Sequence, residues 1–201
     1  MIKIIESVEK LLDEVTRARS RKNLRRFHAL VYFLRDSGLR IGDAVGCSVG
    51  LMADKKLRLY TQKTGQHVHV VLPDFVARVL ATVPRCSDRF WFWSGNGQLE
   101  TATKDWQGRL LELGKKVKIS RIHAHRFRDT FAVNLLKDGT PLDRVSILLG
   151  HSSTRITEKH YALWLRVRQE QAEADVRRSW QIDTLYKLRA TSCAFTNSDQ
   201  T

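Results

Sequence analysis

Cysteine is scarce in this 201-residue chain: Cys47, Cys86 and Cys193 stand far apart, and no CxxC pair occurs. An odd, dispersed set supports neither a disulfide framework nor a zinc site, so the three read as reduced structural thiols. Long apolar runs are missing too. None approaches the ~18–20 residues that span a bilayer, and the N-terminus lacks the basic flank, apolar core and small-residue cleavage site of a signal peptide. Cytoplasmic residence without a membrane partner is the expectation. The chain has no P-loop, no acidic metal cluster, no internal repeat and no low-complexity block. His67 and His69 share one face of a strand-like run but have no third ligand beside them, so neither metal nor cofactor is expected. Acid is in deficit: 35 Lys and Arg stand against 21 Asp and Glu, a formal charge of +14. Such a surplus favours a polyanionic partner, nucleic acid before an anionic membrane. The length suits one domain with a sizeable core, or a domain with a small appendage.

Periodicity divides the chain mostly into helices. Ser7 suits an N-cap for a helix over 6–16, with Val8, Leu11, Leu12 and Val15 on one face. Arg17, Arg19, Arg21, Lys22, Arg25 and Arg26 follow, suited either to a DNA backbone or to solvent. A second helix over 23–37 turns Leu24, Phe27, Val31 and Leu34 inward and stops at Gly38. Between 56 and 72 the period changes to two, with Lys63-Thr64-Gly65 as the turn of a β-hairpin. Pro73 ends that hairpin, and Phe75, Val76, Val79 and Leu80 mark a helix before Pro84. The aromatic run Phe90-Trp91-Phe92-Trp93 reads as packed core rather than a base-stacking platform. Helices are then expected over 102–117, 129–137, 141–149, 154–161 and about 162–180, with a polar tail over 183–201. The fold class is mainly α with a small antiparallel β-sheet.

Chemistry concentrates between His125 and Tyr161. The chain reads His125-Arg126-Phe127-Arg128, then Leu149-Gly150-His151-Ser152-Ser153, then Thr157-Glu158-Lys159-His160-Tyr161. Upstream lie Gly38-Leu39-Arg40 with Asp43, and the Lys63-Thr64-Gly65 turn. Taken singly, each element is ordinary. Arg40 alone suits a surface position or half of an ion pair with Asp43, and lysines at hairpin turns are common. Together and in this order, HxxR, LGHSS, TEKHY and the GLR box resemble the tyrosine recombinases of the phage-integrase type, over roughly residues 5–180. Two positions depart from the usual pattern: Asp43 stands where Glu is commoner, and Phe127 where Leu is.

The resemblance implies the catalytic-domain fold of DNA breaking-rejoining enzymes over 1–182, with 183–201 flexible or docking on a neighbouring protomer. It also implies a preceding core-binding domain that these residues do not include. Tyr161 would be the nucleophile, forming a 3′-phosphotyrosine ester with double-stranded DNA. Arg40 and Arg128 would hold the phosphate, because a guanidinium fork meets two oxygens and stays charged. His125 would be the general base, Lys63 the general acid, and His151 a hydrogen-bond donor to the phosphate. Such an enzyme stores bond energy in the ester, needs neither ATP nor metal, and self-associates as a dimer or tetramer on paired sites. Two alternatives remain at this level. A type IB topoisomerase uses a similar residue set, and residues 129–160, with Gly139 in a turn, also resemble a helix-turn-helix of a non-catalytic DNA-binding fragment.

Overall fold

Helix α1 (Ala18–Ser37) runs through the core of a computed structural model that describes residues 6, 7, 9, 10, 18–119 and 122–182. Ala29, Leu30, Val31, Phe33 and Leu34 have no exposed surface. The buried arc is broad, with His28, Tyr32 and Arg35 on the remaining side only partly buried, so the helix is deeply seated rather than carrying a narrow apolar stripe. It begins earlier than the periodicity over 23–37 indicates, because its first turns are basic and carry no apolar signal. Glu6 is already helical, so Ser7 lies inside helical backbone and is not the N-cap; Val8, Leu11, Leu12 and Val15 lie outside the described residues.

For two of the six residues of the basic cluster, hydrogen bonds answer the question. Arg26 donates to the carbonyls of Pro84 at 2.7 Å and Arg85 at 2.6 Å, and Arg25 donates to that of Thr82 at 3.2 Å. These two side chains tie α1 to the chain leaving helix α3 (Asp74–Thr82) rather than reaching for a ligand.

Helix α2 (Ile41–Val45) and a 3-10 turn (Val49–Leu51) lead into a three-stranded antiparallel sheet, ordered β1 (Met52–Ala53), β2 (Lys56–Tyr60), β3 (His67–Val71). The expected hairpin is β2–β3, paired from Lys56 opposite Val71 to Tyr60 opposite His67. Strand β1 has only two residues, too short for any alternation to reveal. Leu57, Leu59, Val68 and Val70 face the core, while Arg58, Tyr60, His67 and His69 are exposed. Phe90, Trp91 and Phe92 are buried, as the sequence reading has it. The Trp91 indole donates to Leu80 O at 3.0 Å, and the Trp106 indole donates to Phe92 O at 2.9 Å.

Helix α4 (Leu99–Lys116) turns Trp106, Leu110 and Leu113 inward. Helices α5 (His125–Lys137) and α6 (Leu142–Leu149) follow, α5 starting one turn before the expected 129. The residues expected as two helices, 154–161 and 162–180, form one, α7 (Thr154–Ile182). No Gly or Pro occurs in that span to break it. The chain divides into two compact units, Met1–Thr157 and Glu158–Thr201. Among the described residues no helix is long and apolar enough to cross a membrane.

Candidate active site

Two helix ends and one hairpin turn position the site in the first unit. At the end of α1, Ser37 Oγ donates to Phe33 O at 2.5 Å, and Gly38 takes a left-handed φ of +65°. A Cβ at Gly38 would overlap the Phe131 ring of α5, so glycine is required by both conformation and space. The turn delivers Arg40 to the N-cap position of α2. At the end of α6, Gly150 has φ +60°, Gly150 N–H donates to Ile147 O, and His151 N–H donates to Ser146 O. That pair of bonds is the Schellman motif. The glycine of LGHSS therefore fixes where His151 leaves the helix.

The hairpin turn is tied down on both sides. Thr64 Oγ1 donates to Gly150 O at 3.1 Å and lies 2.6 Å from Thr61 Oγ1. Gln62 N–H donates to Asp43 Oδ1 at 2.8 Å, and Gln62 Nε2 donates to Gly42 O at 3.2 Å. Lys63 sits between these anchors, with its own side chain exposed. The Asp43 carboxylate thus holds the hairpin instead of pairing with Arg40, and its Oδ2 has no hydrogen-bond partner. Burial pushes the Asp43 carboxyl above its ordinary range, against the Gln62 N–H and the charges of Arg40 and Arg128. Nearby, burial pushes the Cys47 thiol up to about 12, which leaves it unreactive at neutral pH and fits a structural role.

Arg40, Lys63, His125 and Arg128 line one cleft of about 450 Å³. The two guanidinium groups differ in how they are held. Arg128 is 2 % exposed, with Nη1 donating to Gly38 O at 2.8 Å and Nη2 to Leu149 O at 2.6 Å. It is clamped between the ends of α1 and α6. Arg40 Nη1 is buried and has no hydrogen-bond partner. A buried, unpaired guanidinium N–H is costly unless a ligand completes it. His125 shares the first turn of α5 with Arg128; its Nε2 lies 3.7 Å from Asp129 Oδ1, and both side chains are about half exposed. Clamped and open arginines, an exposed lysine and an exposed imidazole suit a tetrahedral oxyanion such as a phosphodiester.

The remaining two expected residues are His151 and Tyr161. His151 is not among the residues lining the cleft; its Nδ1 is 2.7 Å from Thr157 Oγ1, and it follows by two the residue whose carbonyl receives Arg128. Tyr161 lies on α7 in the second unit, with 4 % of its surface exposed. The cleft is also lined by Gln107, Leu111 and His123, which the sequence reading passed over. Gln107 and Leu111 gave no signal beyond helical periodicity; His123 stands two residues before His125 and was overlooked.

Residues 5–165 match the phage integrase family. A probable integrase/recombinase of Acholeplasma phage L2 is 24% identical over 159 residues, covering 77% of this chain and 55% of that protein. The tyrosine recombinase XerD of Brucella melitensis biotype 1 is 28% identical over 174 residues, covering 77% of this chain and 56% of that one. The chain thus spans about half the length of these curated relatives. Among solved structures, the XerH site-specific recombinase bound to palindromic difH substrate superposes with a TM-score of 0.64 at 18% identity, over 85% of this chain and 50% of that one. The chain belongs to the phage integrase family and has the fold of its tyrosine recombinase catalytic domains.

Proposed function

We propose that this domain cleaves and rejoins double-stranded DNA by site-specific transesterification, through a covalent 3′-phosphotyrosine at Tyr161. One observation carries the proposal. A fully clamped arginine, Arg128, and an arginine with an unpartnered buried donor, Arg40, line the same cleft as Lys63 and His125. In the reaction the Tyr161 hydroxyl oxygen attacks phosphorus in line and its proton passes to His125. The bond to the 5′-oxygen breaks, and Lys63 protonates that oxygen. Arg40 and Arg128 stabilise the charge gathering on the non-bridging oxygens, and His151 adds a hydrogen bond to them. Attack by a 5′-hydroxyl on the phosphotyrosine reverses the steps and joins the strand. The ester conserves the bond energy, so the chemistry calls for neither nucleotide hydrolysis nor a metal.

The charge of +14 supports a DNA partner held through its phosphates. The DNA bound by XerH is palindromic, and a palindrome presents two equivalent half-sites. By the same logic this protein acts as a dimer or tetramer on paired sites, in the cytoplasm where DNA is accessible. The test is a nicked suicide duplex incubated with the parent protein and with Tyr161→Phe. The expected result is a denaturation-resistant protein–DNA adduct from the parent alone. Binding by both proteins with no adduct from either would overturn the proposal in favour of a non-catalytic DNA-binding fragment. Supercoil relaxation with no preferred sequence would favour a topoisomerase instead.

A further inference from the structure

We propose that His123 is a second histidine contacting the substrate, donating a hydrogen bond from its imidazole to a phosphate oxygen of the DNA strand in the cleft. The proposal rests on the strand-cleaving function above. His123 lines the same cleft as Arg40, Lys63, His125 and Arg128. Its ring lies nearly parallel to that of His125, 23° between planes and 6.5 Å between centroids.

Its backbone is held from both sides. Ile122, 2 % exposed, packs where Gly114 of α4 leaves room: a Cβ on that glycine would come within 3.1–3.2 Å of Ile122. The His123 carbonyl accepts the N–H of Arg126 at 3.0 Å in the turn that opens α5. Holding the backbone in this way sets the point from which the imidazole reaches into the cleft. Yet the side chain is exposed, and it makes no hydrogen bond or ion pair with any described residue. His125 has Asp129 beside its Nε2, whereas both ring nitrogens of His123 remain for a ligand. The cleft's other polar groups are predominantly cationic, which suits an anion there. An imidazole keeps at least one N–H donor whether neutral or protonated, so the contact does not depend on one protonation state.

Two substitutions separate a donor from a ring that merely stacks on His125. His123→Phe keeps a flat ring and loses the N–H; His123→Gln loses the ring and keeps a donor. Adduct formation on the nicked duplex is followed at saturating DNA, with duplex affinity and thermal midpoint measured alongside. Losing a hydrogen bond to a charged oxygen slows the reaction or weakens binding by roughly tenfold to a hundredfold. His123→Phe should show that loss at an unchanged midpoint, and His123→Gln should recover most of it. Full activity in His123→Phe with loss in His123→Gln would overturn the donor role in favour of stacking. An adduct formed equally by the parent and both variants would overturn the assignment while leaving the function standing. No adduct from the parent would overturn the function, and this assignment with it.

Discussion

Gly150→Ala probes the joint on which the site is built without touching a residue assigned to the chemistry. Gly150 closes α6 at φ +60°, and an added Cβ would lie 2.6 Å from Val68 Cγ2 and 3.0 Å from Thr61 Cγ2, both in the hairpin that carries Lys63. Left-handed backbone costs an L-residue about 1–2 kcal/mol. Forcing an extra carbon into packed surroundings adds about 1–3 kcal/mol. Gly65→Ala is the internal control. Gly65 has φ +62°, but its Cβ would meet nothing within 4 Å, so only the backbone contribution applies. The two variants should therefore differ by about 1–3 kcal/mol in unfolding free energy, the packing contribution alone. With a urea slope of ~1–3 kcal/mol per molar, the midpoints should separate by roughly 1 M. Adduct formation at a urea concentration where both are folded should also be slower in Gly150→Ala, because Thr64 donates to the carbonyl that would shift. Equal midpoints for the two variants would refute the claim that the cap of α6 is packed against the hairpin.

Arg128→Ala should destabilise the protein as well as abolish adduct formation. The buried carbonyls of Gly38 and Leu149 lose their donors, at about 1–3 kcal/mol each, and a urea midpoint equal to the parent's would contradict the clamp. Asp43→Asn should be at least as stable as the parent at pH 7 yet slower in forming the adduct. Burial raises the Asp43 carboxyl's folded pKa above its unfolded value, so ionised Asp43 is destabilising above the folded pKa. That penalty disappears as pH falls through the raised value, so any advantage of Asn should shrink on acidification. Asn retains an acceptor for Gln62 N–H. Urea titrations of both proteins at several pH values check this, and a variant markedly less stable at pH 7 would contradict it.

Local chemistry made much of this legible before the fold was known. Gly38 and Gly150 stop helices because a left-handed φ favours glycine and a Cβ at either would collide with a neighbouring side chain, and each stands just before a residue of the expected set. The alternation around Lys63-Thr64-Gly65 located the hairpin, and the aromatic run announced itself as core. What stayed hidden depends on partners far away in sequence. The Asp43 carboxylate meets an amide 19 residues on, and Arg26 meets carbonyls 58 and 59 residues away, so nothing near either residue names its partner. Helix α7 was divided at Tyr161, although no breaker residue interrupts it there. His123 was missed because a lone histidine gives no signal until the fold sets it beside His125.

The decisive measurement is the location of the covalent bond. Adduct from a nicked suicide duplex is digested with protease and nuclease, and the nucleotide-bearing peptide is sequenced by mass spectrometry. We expect a single modified residue, Tyr161, linked through a 3′-phosphate, with a free 5′-hydroxyl on the released strand. A nucleotide on any other side chain, or a linkage through a 5′-phosphate, would contradict the mechanism.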